Sequence, residues 1–404
     1  MVERKAKNTI LEMLINSHVV YVNGARQCGK STLTLQIASL LNMEYVTLDD
    51  PSVYAAAKHD PVSFVQNIKS NVVLDEIQLA PEIFRSLKIF IDEQRRRNTN
   101  LKILLTGSAN VMALPELSDA LVGRMQLLTL YPFSLSEFKA THFIDKAFSA
   151  NFELQEKHGG DDIVTQIKSA TFPEVSLSLN AETTRWFDSY LTTLLMRDIK
   201  EIANIEKIAD IPIMLKIFAN RVGSLINESS MARDCNANLM TFRRYRAILE
   251  NMFVINRVFP WYRNIGKRFV KSTKSYFTDT YMLCNILGIK LETMQKEAHH
   301  AFGHILENFV FTELLKNLSE QTQLFHFRTL DNKEVDFVLE RSNGDVVGIE
   351  VKSSSTISAN DFAGLKALKE AVGASFKCGI VLFSGKNTIP FGEKMFAVPV
   401  TGLG

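Results

Sequence analysis

The segment 19–32 constrains the fold more than any other part of the chain. It reads Val-Val-Tyr-Val-Asn-Gly-Ala-Arg-Gln-Cys-Gly-Lys-Ser-Thr, so an apolar run that predicts a short buried strand is ended by Gly24. Gly29, Lys30 and Ser31 follow and lead into the pattern of a helix. A strand, a glycine loop and a helix with the spacing G-x-x-x-x-G-K-S are typical of a phosphate-binding loop. The segment therefore predicts binding of ATP or GTP, and the alternative is a chance match of the string.

Each residue type in this loop suits a phosphate group. Gly24 and Gly29 lack Cβ, so backbone N–H groups can surround the anion, and the positive N-terminus of the next helix faces it. Lys30 is expected to reach the β- and γ-phosphates, and Ser31 to bind Mg²⁺. Cys28, close to the helix N-terminus, is expected to be either a reactive thiolate that ATP protects or an inert core thiol. The predicted nucleotide-binding residues are Gly24, Ala25, Arg26, Gln27, Cys28, Gly29, Lys30, Ser31 and Thr32.

A second motif follows about 45 residues later, where the apolar run at 72–74 ends in Asp75 and Glu76. Asp75 is expected to hold Mg²⁺ through a water, together with Ser31. Glu76 is expected to act as the base that polarises the attacking water. The alternative is an ordinary strand end. Thr106 is the last residue of a further predicted strand at 101–106, and Ser108 lies just beyond it. Both are candidates for sensing the γ-phosphate, or else they only shape a turn.

Length and composition are those of a soluble multidomain protein. The 404 residues exceed what one core usually holds, so two to four domains are expected. The net charge is +2, so any contact with nucleic acid must come from a local basic patch. The four cysteines have neither zinc nor disulfide spacing, and no stretch approaches 18 apolar residues. We therefore expect a cytoplasmic protein without membrane contact.

Five motifs together resemble the prokaryotic AAA-type ATP-binding proteins. They are Gly-x-Arg-Gln-x-Gly-Lys-Ser (24–31), Leu-Asp-Glu-Ile-Gln (74–78), Leu-Thr-Gly-Ser (105–108), Gly-Arg (123–124) and Leu-x-Pro-Phe-Ser (130–134). The resemblance implies a five-stranded parallel sheet with helices on both faces and ATP at its C-terminal edge. It also implies a winged-helix region and a C-terminal domain of uncharacterised function. Arg124 is expected to be an arginine finger for a neighbouring subunit or a surface residue, and Arg197 to face the nucleotide or to form a surface ion pair.

Residues 213–253 have the apolar spacing of a helix-turn-helix. Segment 224–236 predicts a first helix and turn, 238–250 a recognition helix, and 253–259 and 274–278 the strands of a wing. Basic residues here predict a patch that could neutralise DNA phosphates. They are Arg243, Arg244 and Arg246 on the recognition helix, with Lys267, Arg268, Lys271 and Lys274 beyond it. The alternative is a lid or a protein contact.

The segment 296–404 resembles the PD-(D/E)xK nuclease fold. Asp336 lies on one predicted strand, and Glu350 and Lys352 lie on the next, although Glu-Val-Asp replaces the usual Pro-Asp. The resemblance implies that Asp336 and Glu350 hold Mg²⁺, with Lys352 nearby and with Glu307 from the predicted helix 302–316. The alternative is an inherited fold that serves as an interaction module.

The turn between these two strands decides whether such a metal site can form. If Asp336 pairs with Glu350, Arg341 faces Asp345 and the loop has three residues, with Gly344 in the left-handed conformation. A two-residue Asn-Gly turn would instead put Asp336 on the opposite face of the sheet. A metal site therefore predicts the three-residue loop, with the two carboxylates within roughly 4–5 Å of each other.

We therefore predict an α/β multidomain protein with four segments: a parallel-sheet P-loop domain (1–140), a helical linker or lid (141–210), a winged-helix domain (211–295) and a restriction-endonuclease-like α/β domain (296–404). The predicted catalytic residues are Glu76, Lys30, Arg124 and Thr106. One hypothesis is an ATP-hydrolysing enzyme that acts on DNA. The other is a signalling ATPase that binds protein partners. In this second hypothesis the C-terminal segment 296–404, called the tail below, has no catalytic activity. ATP and Mg²⁺ are the expected cofactors, and a homo-oligomer or a protein partner is expected.

Overall fold

The structure is a computed structural model that describes residues 2–108, 123–139, 141–152, 161–178, 183–195, 211–294 and 301–403. The chain forms two compact units, 1–132 with 251–253, and 133–250 with 254–404. Arg197 lies outside the described residues. In the part of the chain that is described, we find no helix with the length and apolar character needed to cross a membrane.

The first unit contains a parallel sheet of five strands in the order β2-β3-β4-β1-β5. The strands are β1 (Val19–Asn23), β2 (Glu44–Thr47), β3 (Val72–Asp75), β4 (Ile103–Gly107) and β5 (Met125–Thr129). The helices are α1 (Ala6–Asn16), α2 (Lys30–Leu41), α3 (Pro51–His59), α4 (Pro61–Gln66) and α5 (Ile83–Arg96). The predicted five-stranded parallel sheet is therefore confirmed, and its strands all end at the same edge.

Helix α5 anchors the strands that carry the acidic motif. Its buried residues Phe84, Leu87 and Phe90 recur every three residues, so they form one apolar stripe. Phe84 meets the fully buried Tyr21 of β1 edge to face, with ring centroids 6.4 Å apart. Together with the buried strand residues, these side chains form one continuous core that fixes the ends of β3 and β4.

The second unit contains a mixed sheet of eight strands in the order β12-β13-β11-β10-β9-β8-β6-β7. They are β6 (Ile255–Pro260), β7 (Lys274–Phe277), β8 (Thr322–Arg328), β9 (Glu334–Arg341), β10 (Val346–Lys352), β11 (Phe376–Phe383), β12 (Ile389–Pro390) and β13 (Met395–Pro399). The helices are α6 (Phe143–Ser149), α7 (Ile163–Ser169), α8 (Pro173–Leu177), α9 (Thr183–Thr193), α10 (Ile211–Asn220), α11 (Glu228–Asp234), α12 (Leu239–Asn251), α13 (Ile265–Val270), α14 (Thr280–Leu287), α15 (Leu291–Met294), α16 (Phe302–Lys316) and α17 (Ala363–Val372). The helix predicted over 302–316 is confirmed as α16.

The middle of the chain shares this sheet with the tail. Helices α11 and α12 precede β6 and β7, which pair antiparallel, and Leu225 forms an isolated antiparallel bridge with Lys274. Strand β6 also pairs in parallel with β8, where Phe259 lies opposite Phe325. The division at residue 295 stays a prediction, but one sheet runs across it.

The hairpin of β9 and β10 has the register that the metal-site hypothesis requires. Its antiparallel pairs run from Val346 opposite Glu340 to Ile349 opposite Phe337, so Asp336 and Glu350 are the next residues on the two strands. The Arg341 N–H donates to Asp345 O (2.9 Å), and the Gly344 N–H donates to Arg341 O (2.8 Å). Gly344 has φ +86°, a left-handed value that favours glycine. The three-residue loop is therefore confirmed.

Candidate nucleotide site and the acidic cluster of the tail

The phosphate loop needs glycine at both of its predicted glycine positions. Gly24 has φ +149°, and a Cβ at this position would lie 2.1 Å from Leu130 O. Gly29 has φ +97° and caps the N-terminus of α2, which begins at Lys30. The sequence folds into the predicted strand, loop and helix because a residue with a side chain would clash at one position and be strained at the other.

Arg4 and Cys28 hold the back of this loop. The Arg4 guanidinium donates to Cys28 O (2.7 Å) and to Tyr131 O (2.6 Å). The Cys28 thiol is fully buried and donates to Leu130 O (3.2 Å). The thiol is therefore directed into the core, and this geometry supports the inert alternative for Cys28.

The Lys30 ammonium lies over the loop. Its Nζ donates to Gly24 O (3.1 Å) and to Ala25 O (2.9 Å), and the residue is buried. Both of these partners are neutral carbonyls, so they leave the positive charge of Lys30 uncompensated. A phosphate in the loop would supply the opposite charge at close range.

Ser31, Asp75 and Thr106 converge at the edge of the sheet. The Ser31 hydroxyl donates to Asp75 Oδ1 (3.3 Å), and the Thr106 hydroxyl also donates to Asp75 Oδ1. The Tyr45 hydroxyl donates to Asp75 Oδ2 (2.6 Å), a contact that the sequence analysis missed. A hydroxyl and a carboxylate are oxygen donors of the kind that Mg²⁺ prefers, so Ser31 and Asp75 fit this ion.

Glu76 has a backbone conformation that is rare for a residue with a side chain. Its φ is +56°, and its N–H donates to Thr106 Oγ1 (3.3 Å). The Glu76 carboxylate accepts from Gln78 Nε2, which also donates to Ser108 Oγ (3.0 Å). Thr106 therefore contacts both acidic residues of the motif, and Gln78 connects Glu76 to Ser108. Local backbone strain of this type is concentrated at functional sites.

The structure does not bring Arg124 to the nucleotide loop of its own chain. Arg124 directly precedes β5, at the end of the sheet opposite to the loop that follows β1. Its Nε lies 2.8 Å from Asp92 Oδ1, and its second terminal nitrogen lies 3.0 Å from Asp92 Oδ2. This bidentate pair holds Arg124 on helix α5, and its role as an arginine finger for a neighbouring subunit stays a prediction.

In the tail, Glu307, Asp336 and Glu350 form an acidic cluster, and a lysine lies between the first two. Lys274 Nζ lies 3.1 Å from Glu307 Oε1 and 3.0 Å from Asp336 Oδ1. The Tyr276 hydroxyl donates to the same Glu307 oxygen (2.6 Å). Asp336 Oδ2 accepts from the Val351 N–H (3.0 Å). Lys274 and Tyr276 were not predicted as members of this site.

The other half of this acidic cluster is Glu350 with Lys352. Lys352 Nζ lies 2.8 Å from Glu350 Oε1, whereas Glu350 Oε2 is buried and has no hydrogen-bond partner within the described residues. Burial, and then the charge of Asp336, raise the pKa of Glu350 to about 8 and that of Glu307 to about 7. Burial acts to lower the pKa of Lys274, but the carboxylates of Asp336 and Glu307 outweigh it and raise this pKa.

The predicted tail residues are therefore together, but they do not fit Mg²⁺ as they stand. Two carboxylate oxygens that a metal would bind already contact the Lys274 ammonium. Among the residues that the structure describes, no group of three or more His, Cys, Asp or Glu side chains is arranged to hold a metal ion.

Arg243, Arg246, Arg268 and Lys274 of the predicted DNA-contacting patch form ion pairs within the protein. Arg243 Nε lies 2.7 Å from Glu228 Oε2, and Arg246 pairs with the same carboxylate. Arg268 is 7% exposed and pairs with Glu340, and Lys274 is 5% exposed. Arg244, Lys267 and Lys271 are exposed. The patch is therefore smaller than its sequence suggests.

Three family models match successive parts of the chain. Residues 16–139 match an AAA domain. Residues 162–293 match a domain of unknown function (DUF8612), and residues 302–403 match another domain of unknown function (DUF4143). The first match covers the segment that contains the parallel sheet and the phosphate loop, and helical and α/β regions follow it.

Similar proteins extend over nearly the whole chain. An uncharacterized protein from Mycobacterium tuberculosis is 26% identical over 401 residues, which are 99% of this chain and 84% of that protein. An uncharacterized protein from Methanocaldococcus jannaschii is 24% identical over 409 residues, covering 92% of this chain and 83% of that protein. A solved Walker-type ATPase from Pyrococcus abyssi aligns with 71% of this chain and 96% of its own, with 14% identity and a TM-score of 0.45.

Proposed function

We propose that this protein is an AAA-type ATPase that binds Mg·ATP in the loop 24–32 and hydrolyses it. The observation that carries the proposal is the convergence of Ser31, Asp75 and Thr106. These residues come from α2, β3 and β4, yet the Ser31 and Thr106 hydroxyls donate to one oxygen of Asp75. Convergence of three elements on one carboxylate beside a phosphate loop is the arrangement that an ATPase needs.

Each residue of this site has a chemical role in the proposal. Lys30 balances the charge of the β- and γ-phosphates, and Ser31 and Asp75 hold Mg²⁺, Asp75 through a water. When bound, Mg²⁺ supplies positive charge to the phosphate oxygens. Glu76 accepts the proton of the attacking water. Thr106 contacts the Asp75 carboxylate and the Glu76 N–H, so in this proposal it is the residue that senses the γ-phosphate.

The test is the substitution Glu76→Gln, which removes the base and keeps the side-chain shape. We expect ATP to bind with nearly unchanged affinity and hydrolysis to fall by about 10²–10⁴-fold, the usual contribution of a general base. Calorimetry measures the binding, and phosphate release measures the rate. The exposed Glu82, changed to Gln, is the matched control. Hydrolysis by Glu76→Gln at the wild-type rate would contradict the assignment.

We further propose that segment 211–295 is a winged helix and that the tail has a restriction-endonuclease-like fold without nuclease activity. Support for the winged helix comes from helices α10, α11 and α12, followed by the antiparallel pair β6 and β7 and the bridge at Leu225. Because Arg243, Arg246, Arg268 and Lys274 are paired with acidic residues, we favour a switch that binds protein partners through these regions.

Contact with DNA is the second candidate, and the surface of α13 favours it. Lys267 and Lys271 are exposed there, beside Phe269, which is 68% exposed. Basic groups next to an exposed aromatic ring suit a nucleic acid. The ATPase rate with and without duplex DNA separates the two candidates. Stimulation that is lost in the double variant Lys267→Glu, Lys271→Glu would favour DNA, and an unchanged rate would favour a protein partner.

A further inference from the structure

We infer that Lys274 takes the place of a divalent cation in the acidic cluster of the tail, so that the nuclease-like site is metal-free. The Lys274 ammonium lies about equally far from Glu307 Oε1 (3.1 Å) and Asp336 Oδ1 (3.0 Å). These oxygens belong to two different elements, α16 and β9. A positive group that joins them holds the two elements together in the way that a bound metal ion would.

The surroundings of Glu307 close the cluster on the side of β7. Lys274 and Tyr276 are two residues apart, so they lie on one face of this strand, and both contact Glu307 Oε1. Gly223 packs against the same carboxylate, because a Cβ on Gly223 would lie 2.7 Å from Glu307 Oε2. The Gly223 N–H donates to Ser275 O (3.0 Å), which fixes this backbone in place. The space between Gly223 and Glu307 has no room for a methyl group and therefore none for a hydrated ion.

The charges and hydrogen bonds of Asp336 lead to the same conclusion. One of its oxygens is paired with Lys274, and the other accepts from the Val351 N–H. Mg²⁺ binds carboxylate oxygens directly and keeps several waters, so at Asp336 it would have to displace the Lys274 ammonium or lie beside it. The positive charge between the carboxylates of Glu307 and Asp336 is therefore supplied by Lys274 and not by a metal ion.

The inference assigns a structural role to Lys274. This residue comes from the proposed wing, and its two carboxylates come from the tail. The ion pairs therefore join the middle of the chain to the tail within one unit. The inference does not depend on ATP hydrolysis, because each of these residues lies outside the first unit.

The first experiment titrates the full-length chain with Mn²⁺ in three forms: wild type, Asp75→Asn and Asp336→Asn. We expect any Mn²⁺ bound by the wild type to disappear in Asp75→Asn and to be unaffected by Asp336→Asn. Binding of one Mn²⁺ that Asp336→Asn removes and Asp75→Asn leaves intact would overturn the inference. So would cleavage of plasmid DNA by the wild type with Mn²⁺ if Lys352→Ala abolished it.

The second experiment removes the ammonium. Lys274→Met keeps most of the apolar side chain and leaves the space of the ammonium empty, and Lys271→Met is the matched control on an exposed lysine. We expect Lys274→Met to melt at a lower temperature than the control and to regain at least about 3 °C in saturating Mn²⁺, because a dication can then enter. A Lys274→Met protein that folds but gains no stability from Mn²⁺ would contradict the inference. If this variant does not fold, the Mn²⁺ titration of wild type, Asp75→Asn and Asp336→Asn still tests the inference.

Discussion

Both candidate sites combine lysine with aspartate and glutamate, yet their charged groups have different partners. In the phosphate loop, Lys30 contacts backbone carbonyls, and Asp75 contacts hydroxyl groups. In the tail, Lys274 contacts the carboxylates of Glu307 and Asp336 directly. Charges held by neutral partners are available to a ligand that carries both signs, such as Mg·ATP. Charges in direct contact with each other already have partners, so the same residue types form a ligand site in one region and a closed cluster in the other.

The largest effect that follows from this comparison is on nucleotide binding by Lys30→Ala. We expect the affinity for Mg·ATP to fall by about 100-fold or more, because charge-assisted contacts to two phosphates are lost. Calorimetry measures the affinity, and circular dichroism checks the fold. Lys58→Ala, on an exposed lysine of α3, should bind as the wild type does. Equal affinities of the two variants would show that Lys30 does not act on the phosphates.

The second prediction compares the same substitution, aspartate to asparagine, in the tail and in the phosphate-loop site. Without nucleotide, Asp336→Asn should lower the melting temperature by about 5 °C or more, since breaking a buried ion pair costs about 3–5 kcal/mol. Asp75→Asn should change it by less than about 2 °C, because the amide oxygen can still accept from the Ser31 and Thr106 hydroxyls and the amide nitrogen can donate to the Tyr45 hydroxyl oxygen. Differential scanning calorimetry gives both values. Equal losses of stability would remove the distinction between the two sites.

The smallest expected effect is a pH dependence from His326. Burial, and then the positive charge of Lys274, lower the pKa of His326 from 6.5 to about 4. The folded protein thus keeps this ring neutral, beside Ser272 O, Arg328 and Asp336. Its contribution to stability is present above pH 6.5 and is lost as the pH falls from 6.5 towards 4.

The measurement for His326 is the melting temperature at pH 7, 6 and 5. His326→Gln should lose less stability over this range than the wild type, because the group that the unfolded chain protonates is absent. His304→Gln, on an exposed histidine of α16, should follow the wild type. Parallel curves for all three proteins would contradict the assignment.

The parts of the fold that the sequence predicted well depend on neighbours along the chain. The phosphate loop lies within 14 residues, α16 is one apolar helix, and the β9–β10 loop is set by Gly344. The position of Asp75 was predicted in the same way, from the apolar strand that it ends. In each case the residues that decide the structure are close together in the sequence, so local patterns are sufficient.

The missed features depend on residues that are distant in the chain. Lys274 lies 33 residues from Glu307 and 62 residues from Asp336, so no local pattern connects them. A signal was present, because Lys274 begins a four-residue strand that is buried throughout, where a lysine needs acidic partners. For Arg243 and Arg246, the missed partner Glu228 lies on the preceding helix.

The sheet that β6 and β7 share with the tail affects how this protein can be dissected. A fragment cut at the sequence boundary of residue 296 would contain Glu307, Asp336, Glu350 and Lys352, but it would lack Lys274 and Tyr276. Its acidic side chains would lose the ammonium and the hydroxyl that now cover them. Such a fragment would expose an open carboxylate site and attract divalent ions. If Lys274 takes the place of the metal as we propose, nuclease activity measured on the isolated tail would result from the cut.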